Sequence, residues 1–201
     1  RVLDLSNVLS GPFCGCQLAH LGAEVIKIEV PNRGDLARQL GLDVELNQKL
    51  MGATFLAQNS GKRSITINLK SAEGVAVFKR LVKTADVIVE NFRPGVMDRL
   101  GVGYEVLKDL NPNLVYCAIS GFGQEGPLKS RPAYDQIIQG MSGTMSITGD
   151  AESAPLRVGY PIADTIGGIT AAFAISAALA KQDGKRGTFI DVSMLESVMC
   201  T

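Results

Sequence analysis

Asp164 stands where an apolar run, Tyr160-Pro161-Ile162-Ala163, passes into a helix-forming stretch, and Gly167-Gly168 follow within three residues. A carboxylate at a helix start has two uses. It can accept hydrogen bonds from the unpaired amides of the first turn, as a cap. It can also attack an activated acyl group, kept ionised by those same amides, which would in turn hold a developing oxyanion. The two glycines would let a ligand approach the backbone closely. The residues alone leave both uses open.

Three further segments carry groups suited to a phosphorylated ligand. Asn7-Val8-Leu9-Ser10-Gly11-Pro12 leads into a helix amino terminus, a natural anion site, although the same residues make a tight turn with Pro12 at the first helical position. Asn59-Ser60-Gly61-Lys62-Arg63-Ser64 sets two cations beside a turn, and Glu90-Asn91-Phe92-Arg93-Pro94-Gly95 sets an amide, an aromatic ring and a guanidinium at a strand end. Both read equally as nucleotide contacts or as solvated turn charges. The first loop is not a G-x-G-x-x-G fingerprint, since its glycines are Gly11 and Gly15 with Pro12 between them, which leaves a nicotinamide oxidoreductase poorly supported. No metal site is expected: Cys14 and Cys16 are spaced C-x-C, and the single histidine, His20, falls inside a helical stretch as a packing or surface residue.

These segments need a frame that brings loop ends together. Val2 to Leu5 reads as a strand leading into a helix over Phe13 to Leu21 closed by Gly22, followed by strands at Val25 to Glu29 and Ser64 to Leu69. Glu73 to Lys83 is an amphipathic helix with Val75, Phe78, Leu81 and Val82 on one face. Val87 to Val89 is a buried-type strand, Val106 to Leu110 a short helix, and Leu114 to Ile119 another strand. Gly140 to Ala154 is loop or mixed structure, then a long helix runs from Asp164 to about Lys181, a turn falls at Asp183-Gly184-Lys185, and a strand spans Thr188 to Val192. Strands alternating with helices predict an open Rossmann-like α/β fold with a mostly parallel sheet. In such sheets ligands bind beyond the carboxyl ends of the strands, which selects the loops after Leu5, Glu29, Glu90 and Ile119.

Composition bounds the partners. The 201 residues are 46% hydrophobic, enough for one core, and twenty basic against twenty acidic residues argue against a chain that coats nucleic acid or an anionic membrane. The longest apolar stretch, Ile169 to Ala180, is short and alanine-rich and reads as a buried helix. Four scattered cysteines are expected as reduced thiols. The chain opens on Arg1 and stops at Thr201 inside an apolar segment, so it reads as a piece of something longer, whose amino terminus could carry a targeting segment.

The runs Val2-Leu3-Asp4-Leu5 with Gly11-Pro12, Leu21 to Glu29, Asn59 to Ser64, Val89 to Gly95 and Gly121-Phe122-Gly123-Gln124-Glu125-Gly126-Pro127, in that order and across essentially the whole chain, resemble the family III CoA-transferases, which include formyl-CoA transferase and the carnitine and bile-acid CoA-transferases. The resemblance implies that residues 1–201 are the amino-terminal part of a large CoA-binding catalytic domain. The small domain and the carboxy-terminal part would lie outside this chain, in an interlocked homodimer without tightly bound cofactor, nucleic acid or membrane. It implies Asp164 as the catalytic nucleophile and contacts to CoA or the acyl group from Val8, Ile67, Asn91, Phe92, Arg99 and Tyr134, with Leu9 near the small substrate; Gly167 and Gly168, read above as room beside Asp164, would complete the substrate pocket. Acyl-CoA and a free carboxylic acid would be the substrates. The location would be cytoplasmic in a bacterium, or the mitochondrial matrix in a eukaryote. Leu9 stands where formyl-CoA transferase has a glutamine, which favours a larger or less polar acid than formate or oxalate.

Two alternatives share the fold. An α-methylacyl-CoA racemase needs an acid and a base on opposite faces of the substrate, and such enzymes carry a histidine directly before an aspartate where this chain has Tyr134-Asp135. A domain that only binds CoA would use Asp164 as a cap and nothing more.

Overall fold

The computed structural model describes residues 1–181 and 187–201; the turn expected at Asp183-Gly184-Lys185 lies outside them. Six strands form one sheet: β1 (Val2–Asp4), β2 (Val25–Glu29), β3 (Arg63–Thr66), β4 (Val87–Glu90), β5 (Val115–Ser120) and β6 (Thr188–Ser193). Their spatial order is β3-β2-β1-β4-β5-β6, and every neighbouring pair is parallel. The expected mostly parallel sheet is therefore wholly parallel among the described residues. β4 and β5 are buried at every position, as parallel strands with helices on both faces must be.

Nine helices are described: α1 (Ser10–His20), α2 (Val44–Gln48), α3 (Ala53–Asn59), α4 (Ala72–Val82), α5 (Val96–Arg99), α6 (Tyr104–Leu110), α7 (Asp135–Met141), α8 (Ile162–Leu179) and α9 (Met194–Met199), with 3-10 turns at Leu36–Gln39 and Thr144–Ile147. One core lies between the sheet and α1, α8 and α9, with Cys14, Leu18, Ile175 and Val198 inside it. The other lies under α4 and α6, around Phe78, Val82, Leu107 and Tyr116. Helix α4 follows its expected pattern, and Ser71 caps it by accepting from the Gly74 amide at 3.1 Å.

Helix α1 starts three residues before the expected Phe13. The Phe13 amide donates to the Leu9 carbonyl at 2.7 Å, and Pro12 sits third in the helix, not first. Nothing is lost there, because first-turn amides have no intrahelical partner. Helix α8 is eighteen residues long with a mean hydropathy of 1.6, long and apolar enough to cross a membrane by length and composition. Its buried face of Ala163, Gly167, Gly168, Ala171, Ala172, Ile175 and Ala178 instead lets it lie close against α1, α9 and β5.

The carboxyl ends of β1 and β2 hold a buried set of charges. Asp4 and Lys27 are register partners on adjacent parallel strands and share a face of the sheet. The Lys27 ammonium lies 2.9 Å from Asp35 and 3.9 Å from Asp4, and donates to the Ser6 carbonyl. Lys62 donates to Asp4 at 2.8 Å, to the Pro12 carbonyl at 2.7 Å and to Asn59 at 2.8 Å. Side chains of Asp4, Lys27, Asp35 and Lys62 are each at most 1% exposed. Burial pushes the Asp4 carboxyl up, but the two ammoniums outweigh it and hold its pKa below the usual range. Lys62 is thus neither a nucleotide contact nor a solvated turn charge, while Arg63 reaches Glu24 at the surface.

Lys62→Met leaves the Asp4 carboxylate buried without its direct partner and frees the Pro12 carbonyl. The expected outcome is a loss of about 3–5 kcal/mol in urea unfolding of the complete protein, far more than for Arg63→Met, whose exposed pair with Glu24 is screened by solvent.

Candidate active site

Strand order reverses between β1 and β4, so the loops leaving these neighbours diverge and open a crevice at the carboxyl edge of the sheet. A cavity of about 160 Å³ occupies that crevice, lined by Val8, Leu9, Asn91, Phe92, Tyr134 and Asp164 together with Ser10. Six of the residues expected from sequence thus meet in one place, contributed by the loop after β1, the loop after β4, the start of α7 and the first turn of α8. Ile67 lines a second cavity of about 450 Å³, beyond β2 and β3, which shares Asn7 and Phe92 with the first and carries Arg33 and Lys70.

Three expected residues lie outside the two cavities. Arg99 is exposed at the end of α5, its guanidinium over Gly95, and lines neither cavity. Gly167 and Gly168 pack closely against protein. A methyl on Gly167 would stand 3.1 Å from the Met194 side chain, and one on Gly168 would collide with the Ser10 carbonyl at 2.6 Å. Their smallness serves the α8–α9 and α8–α1 contacts.

Asp164 is the third residue of α8 and does not cap it; Pro161 is the capping residue and makes no side-chain bond. The amides expected to be free are taken. Asp135, buried at the start of α7, accepts from the Ala163 amide at 2.7 Å and the Asp164 amide at 3.1 Å through one carboxylate oxygen. Gln139 donates to its other oxygen. The amides of Ile162 and Thr165 donate to the carbonyls of Tyr160 and Pro161. The helix start therefore offers Asp164 no oxyanion site of its own. Burial first, then the negative charge of Asp135, pushes the Asp164 carboxyl up to about 6, against the pull of the Ser10 hydroxyl and amide.

The loops are clamped together by Asn91. Its side chain accepts from the Asn7 amide at 2.7 Å and donates to the Asn7 carbonyl at 2.8 Å and to the Ser10 hydroxyl at 3.2 Å. Val8 is held at φ +68°, which a β-branched residue rarely adopts, and its amide donates to buried Asp35 at 3.0 Å. One strand further, Glu90 accepts from the Phe92 amide at 2.8 Å, and burial pushes its carboxyl up to about 7. His20 is exposed, 3.8 Å from the Cys16 sulfur. Ser10, Asp35 and Asp135 were not singled out from sequence. Polar side chains with local turn or cap roles carry no signal of their long-range partners.

Comparison with known proteins follows the same lines. The sequence model of CoA-transferase family III matches residues 1–201. The chain belongs to that family. Within family III it is 46% identical over 201 residues to succinate–glutarate CoA-transferase of Agrobacterium fabrum, covering 98% of this chain and 50% of that one. It is 48% identical over 200 residues to acetyl-CoA:oxalate CoA-transferase of Acetobacter aceti, with 98% and 50% covered. The crystal structure of a CaiB/BaiF family protein from Brucella suis superposes with a TM-score of 0.91 at 41% identity, covering 100% of this chain and 53% of that one. This family III chain thus spans about half the length of the curated relatives it matches.

The Asp164 shift has a sign that can be measured. Unfolded, the carboxyl ionises near 3.8; folded, near 6. The folded state is therefore penalised fully above pH 6, and the penalty vanishes as pH falls through 6 toward 4. Asp164→Asn is expected to stabilise the protein at pH 7–8 by about 2–3 kcal/mol and not below pH 4, as read by urea unfolding against pH. Asp135→Asn keeps an acceptor for the α8 amides and removes the like charge, so the Asp164 titration followed by carboxyl NMR should move below 6.

Proposed function

We propose that residues 1–201 are the amino-terminal part of the large catalytic domain of a CoA-transferase. Asp164 would be the nucleophile that carries CoA between carboxylic acids. The observation that supports this most directly is the placement of Asp164. It is a half-buried carboxylate with a raised pKa, at the switch point of the sheet, facing a cavity whose other walls come from the two loops that Asn91 clamps. A carboxyl near 6 is about nine-tenths ionised at pH 7, yet it is a stronger base than an ordinary aspartate. Both properties favour attack on a thioester.

The steps balance without a dedicated acid or base. The Asp164 carboxylate attacks the acyl carbonyl of the donor ester, expelling CoA thiolate and leaving a mixed anhydride. The thiolate attacks the aspartyl carbonyl, releasing the donor acid and leaving an aspartyl-CoA thioester. The acceptor carboxylate then attacks that thioester, and the returning thiolate takes the acceptor acyl group and frees Asp164.

The cavity carrying Ile67, Arg33 and Lys70 suits the nucleotide end of CoA, with Phe92 between it and Asp164. Val8, Asn91 and Tyr134 then lie along the thioester end. Ile169 and Phe173, exposed on α8, support burial of this face against further chain, as in an interlocked homodimer.

The test is peptide mass analysis of the complete protein after incubation with acyl-CoA esters. A CoA adduct on the Asp164 peptide, absent in Asp164→Ala together with roughly a thousandfold or greater loss of transfer, is the expected result. Exchange of the substrate α-proton with solvent deuterium, without an adduct, would replace this reading with the racemase chemistry.

A further inference from the structure

Glu90 ends β4, is 5% exposed, and lines neither the crevice nor the cavity of Ile67, Arg33 and Lys70. It opens instead on a third cavity, of about 350 Å³, on the α6 side of the sheet, which shares no residue with the other two. One of its carboxylate oxygens accepts from the Phe92 amide at 2.8 Å, and the other meets the Tyr116 hydroxyl at 3.4 Å. Among the described residues no lysine or arginine lines this cavity. Glu29 ends β2 in the same way and meets a different fate. Burial would raise its pKa, yet Arg38, which donates to both oxygens at 2.6 and 2.7 Å, brings it down to about 2. Glu29 is a fixed charge, whereas Glu90 is a charge that one proton removes.

We infer that Glu90 is a positioning residue for the acyl-CoA ester: as a carboxylate it holds the Phe92 ring in place between the two substrate cavities, and as a carboxylic acid it slackens that hold. The inference rests on the assignment of those cavities to the thioester and nucleotide ends of CoA. Asn91 is pinned by its own side chain to Asn7 and Ser10, so residue 91 stays where it is whatever Glu90 does. The Phe92 amide, one residue on, is held by Glu90 alone among the described residues. Protonation exchanges a charge-assisted bond for a neutral one of about half the strength. Phe92 lines both substrate cavities, so the loosening falls on the part of the ester that passes from one to the other.

The exchange falls in a working range of pH. Burial raises the Glu90 pKa, the Phe92 amide and the Tyr116 hydroxyl pull it down, Asp98 on α5 and Asp191 on β6 push it up again, and the balance lies at about 7. The remaining groups that face it do not supply a counter-charge. Tyr104 and Glu105 come from α6, with Glu105 tied to Lys108, and the thiol of Cys117 on β5 is kept protonated by burial. Arg99, at the end of α5, is exposed and lies over Gly95. Because Glu90 opens on the third cavity, a proton reaches it without passing through the crevice.

The experiment is calorimetric titration of CoA into the complete protein and into its Glu90→Gln variant, between about pH 6 and pH 8, one unit on either side of the Glu90 value. Gln keeps an acceptor oxygen for the Phe92 amide and is neutral throughout, so the variant stands for the protonated state and is expected to fold, which circular dichroism checks. The phosphates of CoA titrate identically against both proteins, and the ratio of the two affinities is what is read. Above pH 7 the unaltered protein should bind CoA roughly three- to tenfold more tightly than the variant, with the ratio falling toward one below pH 7. In a Phe92→Leu background the ratio should stay near one at every pH, because the ring through which Glu90 acts is gone. A ratio independent of pH overturns the inference and leaves Glu90 a structural residue. A ratio that inverts also overturns it, since Glu90 would then act as a charge repelling the phosphates, and so does one that survives Phe92→Leu. If the complete protein does not bind CoA, the transferase reading itself fails. The hold on Phe92 is then read apart from it, in the amide proton resonance of Phe92: a shift through pH 7 that is lost in the variant keeps Glu90 as the group that positions this ring, and a flat resonance removes it.

Discussion

Lys27 is buried to 1% in the second strand of a parallel sheet, and the rest of the site depends on what neutralises it. An ammonium with no partner there would cost several kcal/mol, so Asp4 from the adjacent strand and Asp35 from beyond β2 are drawn onto it. That choice fixes the loop that follows β1. Asp4 holds the Ser6 amide at 2.9 Å, Lys27 holds the Ser6 carbonyl, and Asp35 holds the Val8 amide. Lys62 closes the other side by tying Asp4 to the Pro12 carbonyl inside α1. Residues 6 to 12 are thus set by charges below the crevice, not by anything inside it, and Val8 is kept in a strained left-handed conformation as a result.

From that fixed loop the order passes sideways through one amide. Asn91 makes three bonds, two to Asn7 and one to Ser10, and so makes the end of β4 copy the position of the end of β1. Ser10 faces Asp164. A carboxylate on α8 is in this way referenced to a salt-bridge cluster on the far side of β1, through a path made of short polar side chains and one rigid loop. Phe92, next to Asn91, separates the crevice from the larger cavity, and its amide is held by Glu90. The group that positions the aromatic wall is therefore itself on a strand end, the most rigid place available for it.

The frame was legible in the sequence because it depends on periodicity. β2 falls at its expected residues, and β1, β4, β5, β6, α4 and α8 within a few residues of theirs. The crevice was legible too, since the loops after Leu5, Glu90 and Ile119 all reach it. The five helices α2, α3, α5, α7 and α9 were not: none exceeds seven residues, too short for two full turns of an apolar pattern, and none has the Asn111-Pro112 stop that marked the equally short α6. The same limit hid Asp135: without α7 there was no reason to bring it to the start of α8, 29 residues from the Asp164 amide that it accepts. Lys62 and Arg63 are adjacent, look alike and end in opposite environments, one buried on Asp4 and the other at the surface. Gly167-Gly168 read as room for a ligand, and nothing in the sequence told of the close approach of α1 and α9 there. In each case the deciding partner is distant in sequence, and residue type alone does not name it.

Two carboxylates sharing one helix start is a poor arrangement for stability. Asp135 satisfies two orphan amides of α8, which stabilises the helix, but by filling the amides it denies them to Asp164 and adds a like charge beside it. Were Asp164 itself the cap, the helix amides would join the Ser10 hydroxyl and amide in holding its carboxylate, and its pKa would fall. With the capping task on Asp135, Asp164 keeps only the Ser10 hydroxyl and amide as donors and stays half-buried with a raised pKa. The close packing of α8 through Gly167 and Gly168 then prevents the helix from shifting to separate the two charges. The raised pKa of Asp164 persists because Asp135 and the close packing of α8 hold it in place.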